Sequence, residues 1–143
     1  MSPADPEGRA PLPGRLPALG NEAAPFWEQG RRGRLVLPRC RSCGRYVWYP
    51  RSFCPDCHGD DLEWVQASGK GTIYSYTVSY RGRGDWVDHV PYVIAYVELD
   101  EGPRVLTNVV GADPQSLRIG QRVTATFEPA GEQRLLRFEP CEE

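Results

Sequence analysis

Two C-x-x-C pairs, Cys40-Arg-Ser-Cys43 and Cys54-Pro-Asp-Cys57, stand ten residues apart in the sequence. Thiolates at this spacing hold one metal ion from a tight turn, and two such turns complete a tetrahedral shell with Zn–S distances of about 2.3 Å. Four soft ligands with no vacant position describe a structural zinc site made by Cys40, Cys43, Cys54 and Cys57. Gly44 and Gly59 follow the two pairs closely and are expected to take the positive φ that such turns need. His58 adjoins a ligand but is not needed to complete the shell, so it is expected to be exposed or to lie just behind the sulfurs. Cys141 is far from the cluster in sequence and reads as a free thiol.

Other uses of paired cysteines fit less well. Disulfides require an oxidising compartment. Redox C-x-x-C chemistry usually sits at a helix start beside a βαβ pattern, which is absent. Iron is a chemical alternative, because the pairs resemble rubredoxin half-sites, but rubredoxins separate their pairs by a much longer loop.

Charge is uneven around this cluster. Residues 26–60 hold seven arginines against three acids, 7 − 3 = +4, whereas residues 61–143 hold eight bases and thirteen acids, 8 − 13 = −5. Arg39, Arg41, Arg45 and Arg51 either balance the formal −2 of a zinc tetrathiolate or face an acidic surface or phosphates. The chain lacks the broad basic face of a protein that takes its affinity from nucleic-acid phosphates. No stretch reaches the roughly 18 apolar residues that span a bilayer. The N-terminus lacks the basic start and apolar core of a signal peptide. The expected compartment is the cytoplasm.

With 143 residues, the chain has room for one ordinary domain or two very small ones, for which a metal staple is useful. Residues 1–25 contain six prolines and no periodic apolar pattern, so they read as a flexible arm. A short helix over 25–33 is expected to start at Pro25 and stop near Gly33, followed by a brief strand at 35–37. From Leu62 the pattern turns to β: 62–67, 71–80, 91–99, 104–110, 121–128 and 135–138, with turn residues between. Val123, Ala125 and Phe127 alternate with Arg122, Thr124 and Thr126. The fold class is therefore mainly β, with a short helix and zinc-binding ribbon (26–67) before a small OB-type barrel (68–140) and a 141–143 tail.

Several separate motifs follow one another in order. They are Phe26-Trp27-Glu28, Gly33-Arg34-Leu35, Pro38-Arg39-Cys40, Gly69-Lys70-Gly71-Thr72-Ile73-Tyr74-Ser75-Tyr76-Thr77, Pro91-Tyr92, Val97-Glu98-Leu99-Asp100-Glu101-Gly102 and Ile119-Gly120. Together they closely resemble the DUF35 family, a rubredoxin-like zinc ribbon fused to an OB-fold, over residues 26–140. The resemblance implies a non-catalytic subunit in a hetero-oligomer with a thiolase-superfamily enzyme, thiolase or retro-aldolase, or less favourably with a MaoC-like hydratase. It places the barrel near the acyl-CoA entrance of such a partner, with steroid side-chain or branched acyl-CoA as candidate substrates.

On that reading Phe26, Trp27, Tyr46, Trp48, Tyr49 and Trp86 are candidates for partner contact, and Tyr74, Tyr76, Arg81 and Arg83 for acyl-CoA contact. Tyr74, Tyr76 and Tyr80 are expected to share one strand face, and Tyr92 and Tyr96 another. The alternative function is a single-stranded nucleic-acid module, because OB barrels stack bases on such aromatics in a basic groove. The barrel half carries −5 instead, which disfavours nucleic acid as a partner. The long loop Arg81–Val90 either presents Trp86 to a partner or packs it across the barrel end. Asp85, Asp88 and His89 are the only acid/base grouping in sight, so independent catalysis is not expected.

Overall fold

The computed structural model describes residues 10–14, 16 and 20–142. Residues 1–9, 15 and 17–19 of the expected flexible arm, and 143 of the tail, lie outside that set. Regular structure begins inside the expected arm, at Asn21. A short 3-10 turn, Asn21–Ala23, leads into helix α1 (Ala24–Gly30), with Pro25 in its first turn where the missing N–H costs nothing. The chain leaves α1 through a tight turn that ends on Gly33 at φ 77°.

Two short strands, β1 (Val36–Cys40) and β2 (Leu62–Gln66), pair antiparallel and frame the cysteine loops. Five longer strands follow: β3 (Lys70–Ser79), β4 (Tyr92–Leu99), β5 (Arg104–Val109), β6 (Arg122–Ala130) and β7 (Gln133–Pro140). They close into a barrel in the order β3-β4-β5-β7-β6, with β6 returning to β3 and a parallel β5–β7 contact. This is the connectivity of an OB-fold, and closure removes free sheet edges.

Period-two alternation decides which side chains fill the barrel. Ile73, Val97, Val105, Val123 and Phe138 are almost completely buried inside it, each side chain contributing about 1.5–3 kcal/mol of transfer free energy. The same core runs on through Ala67, Leu37 and Leu35 to Phe26, Trp27 and Ala23. Ribbon, helix and barrel thus share one apolar interior. Two glycines mark close approaches. A Cβ on Gly30 would lie 3.2 Å from Phe127, and one on Gly71 would lie 2.7 Å from the Glu98 carbonyl oxygen.

The arm's described part is not free. The Leu12 amide donates to Glu128 at 3.2 Å, and Arg137 donates to the Pro13 carbonyl at 2.9 Å. Glu128 and Arg137 are themselves buried, and Arg137 Nε lies 3.3 Å from Glu128 Oε1. The polar backbone of a proline-rich segment needs partners wherever it is covered. This buried pair on β6 and β7 supplies them.

A candidate zinc centre and its surroundings

The two cysteine turns are built alike. Cys40 N donates to Arg45 O and Gly44 N donates to Cys40 O, both at 2.8 Å. In the second turn Cys54 N donates to Gly59 O at 2.7 Å and His58 N donates to Cys54 O at 2.8 Å. The four sulfurs lie within 4.8 Å of one another, with Cys40–Cys57 and Cys43–Cys54 each at 3.6 Å. Cys40 and Cys54 are fully buried, whereas Cys43 and Cys57 face outward.

Backbone amides favour thiolate at one corner of the cluster. The Cys43 amide leads in bringing the Cys40 thiol down to about 7, with the Ser42 amide helping. At Cys57 the Gly59 amide also favours thiolate, but hydrogen bonding to Cys40 and burial outweigh it and push the thiol up to about 12. Four sulfurs this close cannot all ionise without a cation, and a divalent metal supplies the missing charge. The donor set is closed, all-sulfur and roughly tetrahedral in spacing, which suits structural zinc.

One backbone expectation needs correction. Gly44 has φ 81°, as the first turn requires, but in the second turn the left-handed residue is His58 at φ 65°. Each turn places its positive φ directly after its second cysteine, so Gly59 is one residue too late. A Cβ at Gly59 would lie at ordinary contact distance, 3.4 Å from the Cys57 sulfur and 3.6 Å from Ser42 Oγ, so space does not require glycine there. His58 itself is exposed.

Three of the four arginines have local partners. Arg41 pairs with Asp61 at 2.9 Å and Glu63 at 3.4 Å, and Arg45 lies 3.7 Å from Asp56. Arg39 donates to the Gly44 carbonyl at 3.1 Å and lies over the Tyr46 ring. Neighbouring acids thus take up part of the positive charge around the cluster.

Next to the ribbon, the expected partner-contact aromatics divide into two groups. Phe26 and Trp27 are buried by their own chain, at 3% and 6% exposure, so they do not present a surface. Phe26 meets Trp27, Trp48 and Tyr49 edge-on at 5.3, 5.3 and 6.1 Å between ring centroids, which is favourable aromatic geometry. Tyr46 and Trp48 are half-buried and Tyr49 is exposed. Phe53 and Trp64 are also exposed on the ribbon. Alternation along β2 was the signal for Trp64, whereas Phe53 lay in an irregular loop with no pattern to read.

In the barrel, the expected tyrosine face is broken. A bulge between Ile73 and Ser75 in the β3–β4 register puts Tyr74 out of phase. Tyr74 is exposed on the outer face beneath the Arg104 guanidinium, 3.8 Å from the ring centroid. Tyr76 instead packs against the core and donates to the Leu117 carbonyl at 2.8 Å. Tyr80 lies beyond the end of β3. Tyr92 and Tyr96 do share a face, the outer face of β4, together with Ile94. Leu106 on β5 lies opposite Tyr96. Ile94 and Leu106 were missed because an unpaired strand pattern cannot say which face is out.

The loop between β3 and β4 is ordered as a 3-10 turn, Gly84–His89. Trp86 is half-buried against Tyr92, with ring centroids 4.4 Å apart. Gly82 makes this possible, since a Cβ there would come within 2.4 Å of the Trp86 carbonyl oxygen. Arg81 and Arg83 are exposed on the same loop. Among the described residues no hydrogen bond or ion pair joins Asp85, Asp88 and His89. No helix of the described residues is long and apolar enough to cross a membrane.

Comparison with known proteins matches this architecture in order. A model of the ChsH2 rubredoxin-like zinc ribbon domain matches residues 27–63, and one of the ChsH2 C-terminal OB-fold domain matches residues 64–128. The DUF35 domain-containing scaffold protein of Methanothermobacter thermautotrophicus is 38% identical over 104 residues, covering 72% of this chain and 78% of the relative. The benzoylsuccinyl-CoA thiolase subunit BbsA of Thauera aromatica is 33% identical over 97 residues, covering 68% and 65% respectively. A solved structure, the Ltp2-ChsH2(DUF35) aldolase, contains a chain 36% identical with a TM-score of 0.77, covering 87% of this chain and 98% of that one. The match spans only 33% of another relative, the probable enoyl-CoA hydratase alpha subunit of Thermomonospora curvata, at 38% identity over 75% of this chain. In ribbon, barrel and sequence alike, the chain belongs to the DUF35 family.

Proposed function

We propose that this chain is a non-catalytic subunit that docks on a thiolase-superfamily enzyme, thiolase or retro-aldolase, acting on acyl-CoA substrates. The carrying observation is the pairing of a closed four-cysteine site with a sealed barrel, in a chain closely similar to subunits named for thiolase and aldolase assemblies. A zinc held by four thiolates has no open position for substrate, so the metal's work is to fix the ribbon. Exposed Tyr49, Phe53 and Trp64 on the ribbon, and Trp48 beside them, offer the aromatic area typical of binding hot spots. Phe26 and Trp27 support Trp48 and Tyr49 from within the chain.

Acyl-CoA contact, steroid or branched, belongs to the same proposal. Tyr74 and the loop arginines Arg81 and Arg83 are exposed and fit such a contact, whereas Tyr76 is occupied inside the chain. The nucleic-acid alternative lacks the basic groove it needs, because residues 61–143 carry −5.

Affinity purification of the tagged chain under gentle conditions, with mass spectrometry of proteins and metal, tests the proposal. One zinc and a stoichiometric thiolase-superfamily chain are expected. Zinc with bound nucleic acid and no enzyme would overturn it. Cys40→Ser is expected to lose both zinc and partner, and normal assembly by that zinc-free variant would sink the structural role of the metal.

A further inference from the structure

A cleft of about 430 Å³ separates the first cysteine turn from the β4–β5 hairpin, and Arg45, Trp48, Asp56, Glu101 and Arg104 line it. Its charges are almost all answered within the chain. Arg45 lies 3.7 Å from Asp56, and Arg104 lies 3.2 Å from Glu98. Glu101 is the exception. Its Oε2 accepts from the Ser68 amide at 2.8 Å, which ties the hairpin to the segment joining ribbon and barrel. Its Oε1 is shut off from solvent and has no hydrogen-bond partner among the described residues. A covered carboxylate oxygen without a donor is costly, and the cost disappears when a cation enters beside it. Side-chain rotamers commonly change at interfaces on binding, so the Glu101 carboxylate can turn toward a cation in the cleft.

The cleft also leads onto an apolar surface. Arg104 forms part of the cleft and covers Tyr74 at 3.8 Å. Beyond it on the barrel's outer face lie Tyr96 and Leu106, paired across β4 and β5 and exposed at 47% and 59%. A socket with one unanswered carboxylate oxygen, beside an aromatic and aliphatic field, has the anatomy of a protein interface with one buried charge.

We infer that this cleft receives an arginine or lysine side chain of the partner enzyme, which pairs with Glu101 while the enzyme's surface covers Tyr96 and Leu106. The inference rests on the proposed docking to a thiolase-superfamily enzyme and names the surface and the chemistry of that docking. It makes ribbon and barrel contribute jointly to one contact, with Glu101 at their junction.

The test measures affinity between the full-length chain and the thiolase-superfamily protein that co-purifies with it. Glu101→Gln keeps an oxygen for Ser68 and replaces the other carboxylate oxygen by an amide N–H₂, so it removes the charge without removing the tether. Its binding is expected to weaken about 30-fold, as when one member of a buried charge pair is lost, with the thermal midpoint of the isolated chain unchanged. Leu106→Asp, at a surface position, provides a second arm should Glu101→Gln unfold. It is expected to weaken binding at least about tenfold, as for a centrally covered apolar residue. If Glu101→Gln folds and binds like wild type, the inference is overturned and the proposed function stands. The inference is overturned equally if Glu101→Gln unfolds and Leu106→Asp binds like wild type. If no thiolase-superfamily protein associates with wild type at all, the proposed function falls and this inference with it.

Discussion

The indole Nε1 of Trp27 donates a 2.9 Å hydrogen bond to the hydroxyl of Tyr49, joining helix α1 to the loop between the cysteine turns. Trp27 is buried and Tyr49 exposed, so one polar contact at the rim serves an otherwise apolar packing of rings. Trp27→Ala is expected to cost about 3–5 kcal/mol, the range for emptying a large aromatic site. Tyr49→Phe keeps the ring and loses only the bond, about 1 kcal/mol. Urea denaturation of the zinc-loaded chain measures both, and equal losses would show that the hydroxyl rather than the packing holds the helix.

His58 carries the positive φ that Gly44 carries in the matching turn. A left-handed conformation strains any residue with a Cβ by about 1–2 kcal/mol, less for residues that tolerate it locally. His58→Gly is therefore expected to stabilise the zinc-bound chain by about 0.5–1 kcal/mol, and Gly44→Ala to destabilise it by at least that much. Thermal unfolding at fixed zinc concentration reports both signs. A destabilised His58→Gly would mean that the imidazole makes a contact worth more than the strain.

The Glu128–Arg137 pair anchors the proline-rich segment through Leu12 N and Pro13 O. Removing one member leaves the other charge buried, at a cost of about 3–5 kcal/mol. Arg137→Ala is expected to show that loss and also to free residues 10–14 for proteolysis and rapid amide exchange. A stability loss with the arm still protected would show that the arm is held by Gly14 against Leu135 instead, where a Cβ would meet the leucine side chain.

Asp100 and Arg122 form two hydrogen bonds, at 2.7 and 2.9 Å, across the mouth of the barrel. The Arg122 guanidinium holds the Asp100 carboxyl below its usual range, with Lys70 adding to the effect. A depressed folded pKa stabilises above the unfolded value of about 3.9, and the contribution fades as pH falls through the folded value. Asp100 is largely solvated, so screening limits the contribution to about 1 kcal/mol or less. Asp100→Asn is expected to show that deficit at neutral pH and to match wild type once the wild-type carboxyl is protonated. A pH-independent deficit would assign the effect to packing rather than charge.

Much of this molecule was legible in the sequence because its signals are local. The spacing of Cys40, Cys43, Cys54 and Cys57 dictates a metal cluster, since two short turns bring four thiolates together whatever else the chain does. Alternation such as Val123, Ala125 and Phe127 marks strands, because a pleated backbone puts every second side chain on one face. The ordered motifs from Phe26-Trp27 to Ile119-Gly120 pointed to the ribbon and barrel as a pair.

Non-local relationships were decided only by the tertiary structure. One extra residue at Tyr74 separates it from Tyr76, because a bulge shifts phase and only the pairing with β4 reveals it. His58 rather than Gly59 takes the left-handed position, because the Cys54 turn, like the Cys40 turn, bonds the residue directly after its second cysteine back to its first. Leu12 and Pro13 find Glu128 and Arg137 more than a hundred residues away, and Trp86 finds Tyr92 across a folded loop. Periodicity and spacing report what a backbone does over a few residues. Which faces meet, and which carboxylate oxygen is left without a donor, depends on contacts that exist only once the barrel has closed.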